Sequence, residues 1–96
     1  MTKADLVAKI SEETGLERTE VSRTVESMMD FIKKSLTNGQ NVYLRGFGSF
    51  VVRERKQKTG RNISKNTTII IPAHNIPSFK PAKVFMDQVK SKVKVK

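Results

Sequence analysis

Basic side chains are concentrated in the segment RERKQKTGRN, residues 53–62, in which five of the ten residues are Lys or Arg. Extended to Lys65, the segment holds six cations and one acid. Cations at this density attract polyanions, because each one can neutralise a phosphate and release a condensed counterion. Arg61 and Asn62 add hydrogen-bond donors suited to groove acceptors, and Ile63 places one isolated aliphatic residue beside them. The pattern predicts binding to a nucleic acid.

The excess of positive charge extends beyond this segment and fills the C-terminal half of the chain. Residues 1–44 hold six Lys and Arg against seven Asp and Glu, whereas residues 45–96 hold thirteen against two, within an overall formal charge of +10. Charge that served only solubility would be mixed along the chain. A solvated basic face is the alternative interpretation, but an excess over half of the protein favours a polyanionic partner for that half.

Residues suited to catalysis or metal binding are few. His74 is the single histidine and the chain has no cysteine, so a nucleophile–base pair and a thiolate metal site have no candidates. We interpret His74 as a loop residue near a phosphate. The glycines of RGFGSF are not followed by a predicted helix and therefore do not indicate a phosphate-binding loop. We expect no enzyme activity, no cofactor and no metal.

Length and hydropathy predict one soluble domain. The chain has 96 residues, the size of a single domain. The first ten residues, MTKADLVAKI, include three charges and no unbroken apolar stretch, which is unlike a signal peptide. No run approaches the roughly 20 apolar residues of a membrane span. We expect a cytoplasmic protein with no membrane partner.

Two helices are predicted ahead of the basic half. Thr2, with Asp5 three residues later, forms a capping box for a helix over residues 2–14. A second helix, over residues 18–37, has one apolar stripe. Its members are Val21, Val25, Met28, Met29, Ile32 and Leu36. A chain this small leaves such a stripe exposed to solvent unless a partner covers it, so we predict an obligate homodimer.

Period-2 alternation predicts strands after Gly39. The apolar runs at residues 50–52 and 69–71 are predicted to pair as an antiparallel ribbon around a polar connection at 56–67. Alternation along that ribbon places Arg53 and Arg55 on one face. It places Lys56 and Lys58 on the other. The full set of predicted later elements is strands at Val42–Arg45, Ser49–Arg55, Thr67–Ile71 and Ile76–Phe79, a turn at Gly46-Phe47-Gly48, and a closing helix that starts near Pro81 and carries Val84, Phe85 and Val89.

These elements predict an α+β fold class. Two N-terminal helices precede a three-stranded antiparallel sheet, from which a β-ribbon arm protrudes, and a C-terminal helix closes the chain. The motifs GFGSFVVRERKQKTGRN and IPAHNIPSFKPAK, with the two-helix start, resemble the bacterial HU and integration host factor family of DNA-bending proteins. The resemblance covers about residues 2–90. It implies a DNA-binding domain over 1–90 with its arm at about 53–74, and leaves a frayed basic extension at 91–96.

The resemblance implies an intertwined homodimer, with the helices as a base under a β saddle and two arms wrapping the duplex along the minor groove. Phe47, Phe50 and Phe79 would form the aromatic dimer core. Ile63 stands where the family usually has its intercalating proline. Isoleucine keeps an apolar wedge but loses the fixed φ, while packing against its own arm is the alternative role. The resemblance implies contacts to DNA for Lys3, Arg53, Arg55, Lys58, Arg61, Lys80, Lys83 and Lys90. The composition of the basic segment adds Lys56, Asn62 and Lys65 as predicted contacts.

The function expected on these grounds is architectural. The protein would bind and bend double-stranded DNA in the nucleoid without strong sequence preference, because the minor groove distinguishes little beyond A·T from G·C. Bent, nicked or gapped sites would bind better, since part of the deformation cost is absent. Three alternatives stay open: an RNA-binding or ribosomal-type protein, a sequence-preferring bender like integration host factor, and a scaffold that bridges anionic polymers or membranes.

Overall fold

The computed structural model describes residues 1–62 and 67–95, and at Arg61, Asn62 and Thr67 it describes the backbone alone. Within these ranges the chain folds into three helices and five strands, which confirms the predicted α+β class. In chain order they are α1 (Lys3–Thr14), α2 (Arg18–Thr37), β1 (Val42–Leu44), β2 (Gly48–Arg55), β3 (Lys58–Asn62), β4 (Thr67–Ile71), β5 (His74–Pro81) and α3 (Lys83–Lys92).

Local hydrogen bonds define both ends of α1. The N–H of Thr2 donates to Asp5 Oδ2 at 2.9 Å, and the N–H of Asp5 donates to Thr2 Oγ1 at 3.2 Å. This is the predicted capping box, and the bonds from Thr2 lower the pKa of the Asp5 carboxyl. Gly15 ends the helix with φ at 78°, a left-handed conformation that suits glycine. Val7 of α1 and Val21 of α2 are the buried apolar side chains among the described residues.

The central sheet is antiparallel with the strand order β1-β2-β5. Tyr43 lies opposite Ser49, which in turn lies opposite Lys80. One residue further along β2, Phe50 lies opposite Phe79. Directly opposed residues share a face and successive residues alternate between faces. The register therefore fixes which side chains stand together on each side of the sheet.

The arm is a separate two-stranded ladder of β3 and β4. The predicted pairing of residues 50–52 with 69–71 is wrong, because 50–52 pair with 77–79 and 69–71 pair with 58–60. The polar connection at 56–67 contains β3. Both apolar runs share the same period, so alternation alone does not decide which runs pair. The polar β3 becomes a strand because β4 supplies its hydrogen-bonding partner.

β5 is longer than predicted, running over His74–Pro81 instead of residues 76–79. It forms one edge of the sheet, where proline is tolerated. Pro77 lies opposite Val52, whose own N–H points away from β5 and donates to Asn41 Oδ1 at 3.0 Å. No ladder bond is therefore lost at Pro77.

The closing helix starts later than predicted. Pro81 ends β5, where it pairs with Gly48, and Ala82 is the N-cap of α3. The N–H of Ala82 donates to the Phe47 carbonyl at 2.8 Å, which ties the start of α3 to the turn between β1 and β2. The helix continues to Lys92, two residues into the segment predicted to be frayed.

Four phenylalanines form an aromatic cluster where the sheet meets α3. Ring centroids are 4.9 Å apart for Phe50 and Phe79, 5.1 Å for Phe47 and Phe79, and 5.6 Å for Phe47 and Phe85. Gly48 makes this packing feasible. A Cβ on Gly48 would lie 2.6 Å from ring carbons of Phe79 and 2.5 Å from the carbonyl oxygen of Lys80. The cluster therefore contains the three predicted rings, with Phe85 as a fourth.

The folded chain leaves much of its apolar surface uncovered. Its accessible surface is 8708 Å², whereas a compact monomer of its mass would expose roughly 5,600 Å². Its radius of gyration is 18.9 Å, against roughly 12–13 Å for a compact chain of this length. Within the aromatic cluster, Phe47 is 45% exposed and Phe79 is 37% exposed. One chain does not complete this core.

Candidate nucleic-acid interface

Alternation divides the sheet β1-β2-β5 into two chemically different faces. We call the inner face the one that carries Phe50, Val52, Pro77 and Phe79, and the outer face the one that carries the residues between them in sequence. The register assigns the following side chains to the outer face: Tyr43, Ser49, Val51, Arg53, Arg55, His74, Ile76, Ser78 and Lys80.

The inner face is turned toward α2. An open groove of about 810 Å³ lies between them, lined by Met29, Ile32 and Leu36 from the predicted apolar stripe and by Phe50 and Val52 from the sheet. Part of the apolar stripe of α2 therefore faces the sheet across this groove, in addition to the partner subunit that the sequence predicts for it. Because the helices lie on the inner side, the outer face is left to solvent and to partners.

The outer face concentrates three of the predicted contact residues. Arg53 and Arg55 alternate along β2, and Lys80 follows on the neighbouring β5. All three are exposed. Neighbouring strands lie roughly 4.8 Å apart, so these cations form one positive surface. The acid between the two arginines, Glu54, belongs to the inner face by alternation, and therefore does not interrupt the surface.

The arm continues the positive charge beyond β2. Lys56 lies between β2 and β3, and Lys58 is the first residue of β3; both are exposed. The prediction that Lys56 and Lys58 lie on the other face from Arg53 and Arg55 assumes one continuous strand. The strand alternation is interrupted between β2 and β3, so the structure does not support that placement. Ile69, Ile70 and Ile71 of β4 are 45%, 64% and 41% exposed.

Four more predicted residues follow Lys58 and Thr59 in the sequence. The backbone of Arg61 and Asn62 ends β3, where they pair with Thr68 and Thr67. The predicted wedge Ile63 and the predicted contact Lys65 lie outside the described residues. Their roles stay predictions from the sequence.

The remaining predicted cations are on helices. Lys3 and Lys83 are the first residues of α1 and α3, and Lys90 lies in the last turn of α3. α3 begins without a side-chain cap and without an acid in its first turn, so the positive end of the helix dipole is unopposed there. A phosphate near Lys83 would be attracted by both the ammonium group and the free N–H groups.

Among the predicted contacts whose side chains the structure describes, Lys3 is the one with an ion-pair partner in the chain. Its ammonium group forms an ion pair with Glu26 of α2, and both side chains are about half exposed. The hydrogen bond and the charge of Lys3 lower the pKa of Glu26. A phosphate that binds Lys3 must therefore compete with this carboxylate.

Sequence reasoning missed several outer-face residues. Ser49 and Ser78 join the cations once the register is known, and Tyr43 extends the surface onto β1. His74 lies in β5 opposite Arg55, rather than in the predicted loop. Its Nδ1 is 3.1 Å from the Pro72 carbonyl. In a hydrogen bond between these two atoms Nδ1 is the donor, because a carbonyl oxygen only accepts. Counting back along β2 in steps of two from Arg53 would have placed Ser49 on the outer face. Tyr43, His74 and Ser78 lie on other strands, so only the strand pairing places them there.

Other kinds of site find no support in the part of the chain that the structure describes. No three acidic or histidine side chains there approach one another as metal ligands do. None of the helices over residues 1–62 and 67–95 has the length and apolar character needed to span a bilayer.

Comparisons with known proteins agree on one family. The family model for bacterial DNA-binding proteins matches residues 1–90. The SPbeta prophage-derived DNA-binding protein HU 2 of Bacillus subtilis is 44% identical over 92 residues, which cover 96% of this chain and all of that protein. The DNA-binding protein HU of Thermus thermophilus is 42% identical over 94% of this chain and 93% of its own length.

Solved structures give the same result for the fold. A chain of the Anabaena HU–DNA cocrystal structure superposes with a TM-score of 0.87 at 32% identity, over 98% of this chain and all of that one. Since the superposition covers 98% of this chain, it includes the described strands of both the sheet and the arm. This protein belongs to the bacterial DNA-binding protein family, the family of HU and integration host factor.

Proposed function

We propose that this protein is an architectural DNA-binding protein, which binds double-stranded DNA on its outer face and bends it with its arms. The observation that carries the proposal is that the sheet places its cationic side chains on one face and its phenylalanines on the opposite face. Arg53, Arg55 and Lys80 share the face that the helices leave open, and the basic arm continues from that face. A duplex laid there would meet cations along its phosphates without meeting the single acid of β2.

The binding unit in this proposal is a homodimer. One chain exposes roughly 3,100 Å² more than a compact monomer, and obligate interfaces commonly bury about 1,000 Å² or more on each subunit, so the excess is large enough for such an interface. The half-exposed aromatic cluster and the groove beside α2 offer the apolar surface. A second copy that covers both would bring two outer faces and two arms to one duplex, with Phe47, Phe50 and Phe79 in the shared core.

Affinity would come mainly from phosphate neutralisation. Each contact releases condensed counterions, so affinity should fall steeply as salt is raised. The body contacts in the proposal are Lys3, Lys80, Lys83 and Lys90. The arm contacts are Arg53, Arg55, Lys56, Lys58, Arg61, Asn62 and Lys65. Since phosphate contacts carry no sequence information, binding would show little sequence preference.

Bending would come from the arm tip. In minor-groove architectural proteins such as HU, an inserted apolar side chain unstacks a base step at a cost of a few kcal/mol, which wrapping repays. Ile63 is the apolar residue at the corresponding place in this sequence. Sites that are already bent, nicked or gapped would bind better because less deformation remains to be made. A protein with this role acts on chromosomal DNA in the bacterial cytoplasm, in the nucleoid.

Two features favour DNA over RNA. Single-strand RNA readers stack bases on exposed aromatic residues of a sheet, whereas the outer face carries one aromatic side chain, Tyr43, and the phenylalanines lie on the inner side or in the adjoining turn and helix. A-form RNA also has a shallow minor groove, which offers little for an inserted ribbon to grip. Competition with an RNA duplex separates the two.

The test is energy transfer between dyes at the two ends of a short duplex, intact or nicked, titrated at two salt concentrations. We expect transfer to rise to saturation at one dimer per duplex, to weaken with salt and to favour the nicked duplex. Ile63→Ala should retain binding and lose much of the rise. Salt-sensitive binding without any rise would contradict bending, and equal affinity for an RNA duplex would contradict the assignment to DNA.

A further inference from the structure

Tyr43 is an exposed residue of the outer face that the predicted contact set does not include. It is the middle residue of β1 and is 71% exposed. The register places it opposite Ser49, and Ser49 opposite Lys80. With strands roughly 4.8 Å apart, these three form a transverse row of hydrogen-bond donors across the whole sheet. The row crosses the face on which the proposed duplex lies.

The side chain of Asn41 determines how the Tyr43 hydroxyl is used. The backbone N–H of Val52 donates to Asn41 Oδ1 at 3.0 Å. A backbone N–H only donates, so this bond identifies the oxygen of the carboxamide and leaves Nδ2 on the other side. Asn41 Nδ2 lies 3.2 Å from Tyr43 Oη. Since Nδ2 only donates, the tyrosine oxygen is the acceptor.

The hydroxyl hydrogen of Tyr43 is therefore still available. No hydrogen bond within the described ranges uses it as a donor. A hydroxyl that already accepts a hydrogen bond is polarised and donates a stronger one. The acceptor must come from outside the sheet, on a surface whose neighbouring side chains are cations. A phosphate oxygen meets both conditions.

We propose that Tyr43 donates a hydrogen bond from its hydroxyl to a backbone phosphate of the bound duplex, and that Asn41 is the residue that positions it. The inference rests on the proposed function and adds a specific contact on a third strand. Tyrosine is neutral, so this contact strengthens binding without neutralising a phosphate. It should therefore be visible in affinity but invisible in the salt dependence.

Tyr43→Phe tests the contact, because it removes the hydroxyl and keeps the ring. Affinity for a fluorescent duplex is measured by anisotropy over a series of salt concentrations. We expect roughly a three- to tenfold loss at each of them, with an unchanged slope of log affinity against log salt. Lys80→Gln, in the same row, is the matched control. It should lower the affinity and also flatten the slope, by about one for each phosphate that the variant no longer neutralises.

The outcomes separate this inference from the proposed function. If the wild-type protein does not bind the duplex, the proposed function fails and this contact with it. If the wild-type protein binds and Tyr43→Phe binds equally well, only the contact is overturned. A loss confined to A·T-rich or to G·C-rich duplexes would replace the phosphate with a base edge and overturn the inference as stated. Equal melting temperatures of the wild-type protein and Tyr43→Phe verify that the fold of the variant is intact.

A second measurement needs no variant. Tyr43 is the only tyrosine of the chain, so 3-fluorotyrosine labelling gives one fluorine resonance. We expect that resonance to shift as duplex is added and to stop shifting at one dimer per duplex. A resonance that stays in place through saturation would place Tyr43 away from the DNA.

Discussion

The inner and outer faces of the sheet β1-β2-β5 are built from alternate residues of the same strands, yet each lacks something different. The inner face lacks cover: Phe47 and Phe79 of its aromatic cluster are 45% and 37% exposed, and its groove beside α2 is open. The outer face lacks counter-charge: Arg53, Arg55 and Lys80 stand together without an acid among them. From this difference we infer that the inner face is completed by apolar surface and the outer face by anions.

Neighbouring residues therefore carry opposite tasks. Phe79 and Lys80 are consecutive, and the first packs in the aromatic cluster while the second points to the outer face. A register slip of one residue would exchange these faces throughout β5. Assembly of the inner face and binding by the outer face thus depend on the same pairing. Substitutions at adjacent positions should separate the two tasks cleanly.

The largest effect is expected at the inner face. Phe79→Ala removes the ring that contacts both Phe47 and Phe50, and truncation of a packed phenylalanine costs about 3–5 kcal/mol. A small domain has little stability to spare, so we expect loss of cooperative melting and, with it, loss of the proposed homodimer. The measurements are sedimentation and thermal melting at several protein concentrations.

The adjacent Lys80→Ala is the control for Phe79→Ala. It should melt like the wild-type protein, because its side chain is exposed and points away from the aromatic cluster. If Phe79→Ala and Lys80→Ala have equal melting temperatures, the inner face does not contribute more to stability than the outer face does.

A smaller but sharper effect is expected at Gly48. Gly48→Ala places a methyl group within 2.6 Å of the Phe79 ring and 2.5 Å of a backbone carbonyl, and overpacking of this kind costs about 1–3 kcal/mol. The melting temperature should fall accordingly. Gly60→Ala in the arm is the matched control, since its nearest atoms lie at 3.9 Å, an ordinary contact. Equal melting temperatures for the two variants would contradict the close approach at Gly48.

Much of this fold could be predicted because its signals are local. The capping box at Thr2, the apolar stripe of α2 and the glycine at the end of α1 all depend on residues a few positions apart. The pairing of strands does not. β2 reaches across the arm to β5, and the sequence between them contains another ladder, so alternation alone pairs the apolar runs at 50–52 and 69–71 wrongly.

The candidate site divides in the same way. The cations could be found by composition, and Arg53 and Arg55 could be placed on one face by counting. Neither approach places Tyr43 or Lys80, because each lies on another strand and joins the face only through the register. The ion pair of Lys3 with Glu26 was also missed, since it connects two helices across 23 residues and nothing local indicates it.

The outer face should respond in affinity rather than in stability. Arg53→Gln removes one proposed phosphate contact from each subunit, so we expect weaker DNA binding on every sequence and a salt slope flatter by about two per dimer. Lys34→Gln removes an equal charge from α2, where Lys34 lies 5.8 Å from the Phe31 ring. It should change the slope much less. Equal changes would mean that net charge, and not the outer face, determines binding.

The smallest effect is expected where a predicted contact is already paired. Glu26→Gln releases Lys3, and an exposed ion pair is weak, so we expect DNA affinity to rise roughly two- to threefold at low salt and to match the wild-type protein at high salt. An unchanged affinity at low salt would remove Lys3 from the interface.

The same pair predicts a pH dependence with a definite sign. Lys3 lowers the pKa of Glu26 below its ordinary value of 4.5, so the pair stabilises the fold above that value, and the contribution is lost as pH falls through the lowered pKa. The wild-type protein should therefore lose more melting temperature between neutral pH and a pH well below 4.5 than Glu26→Gln does. Glu12→Gln, which removes an α1 carboxylate outside the ion pairs of the described residues, is the control. If Glu12→Gln and Glu26→Gln reduce the difference in melting temperature between the two pH values equally, the ion pair does not persist in solution. Lys3 is then free to bind phosphate without displacing Glu26.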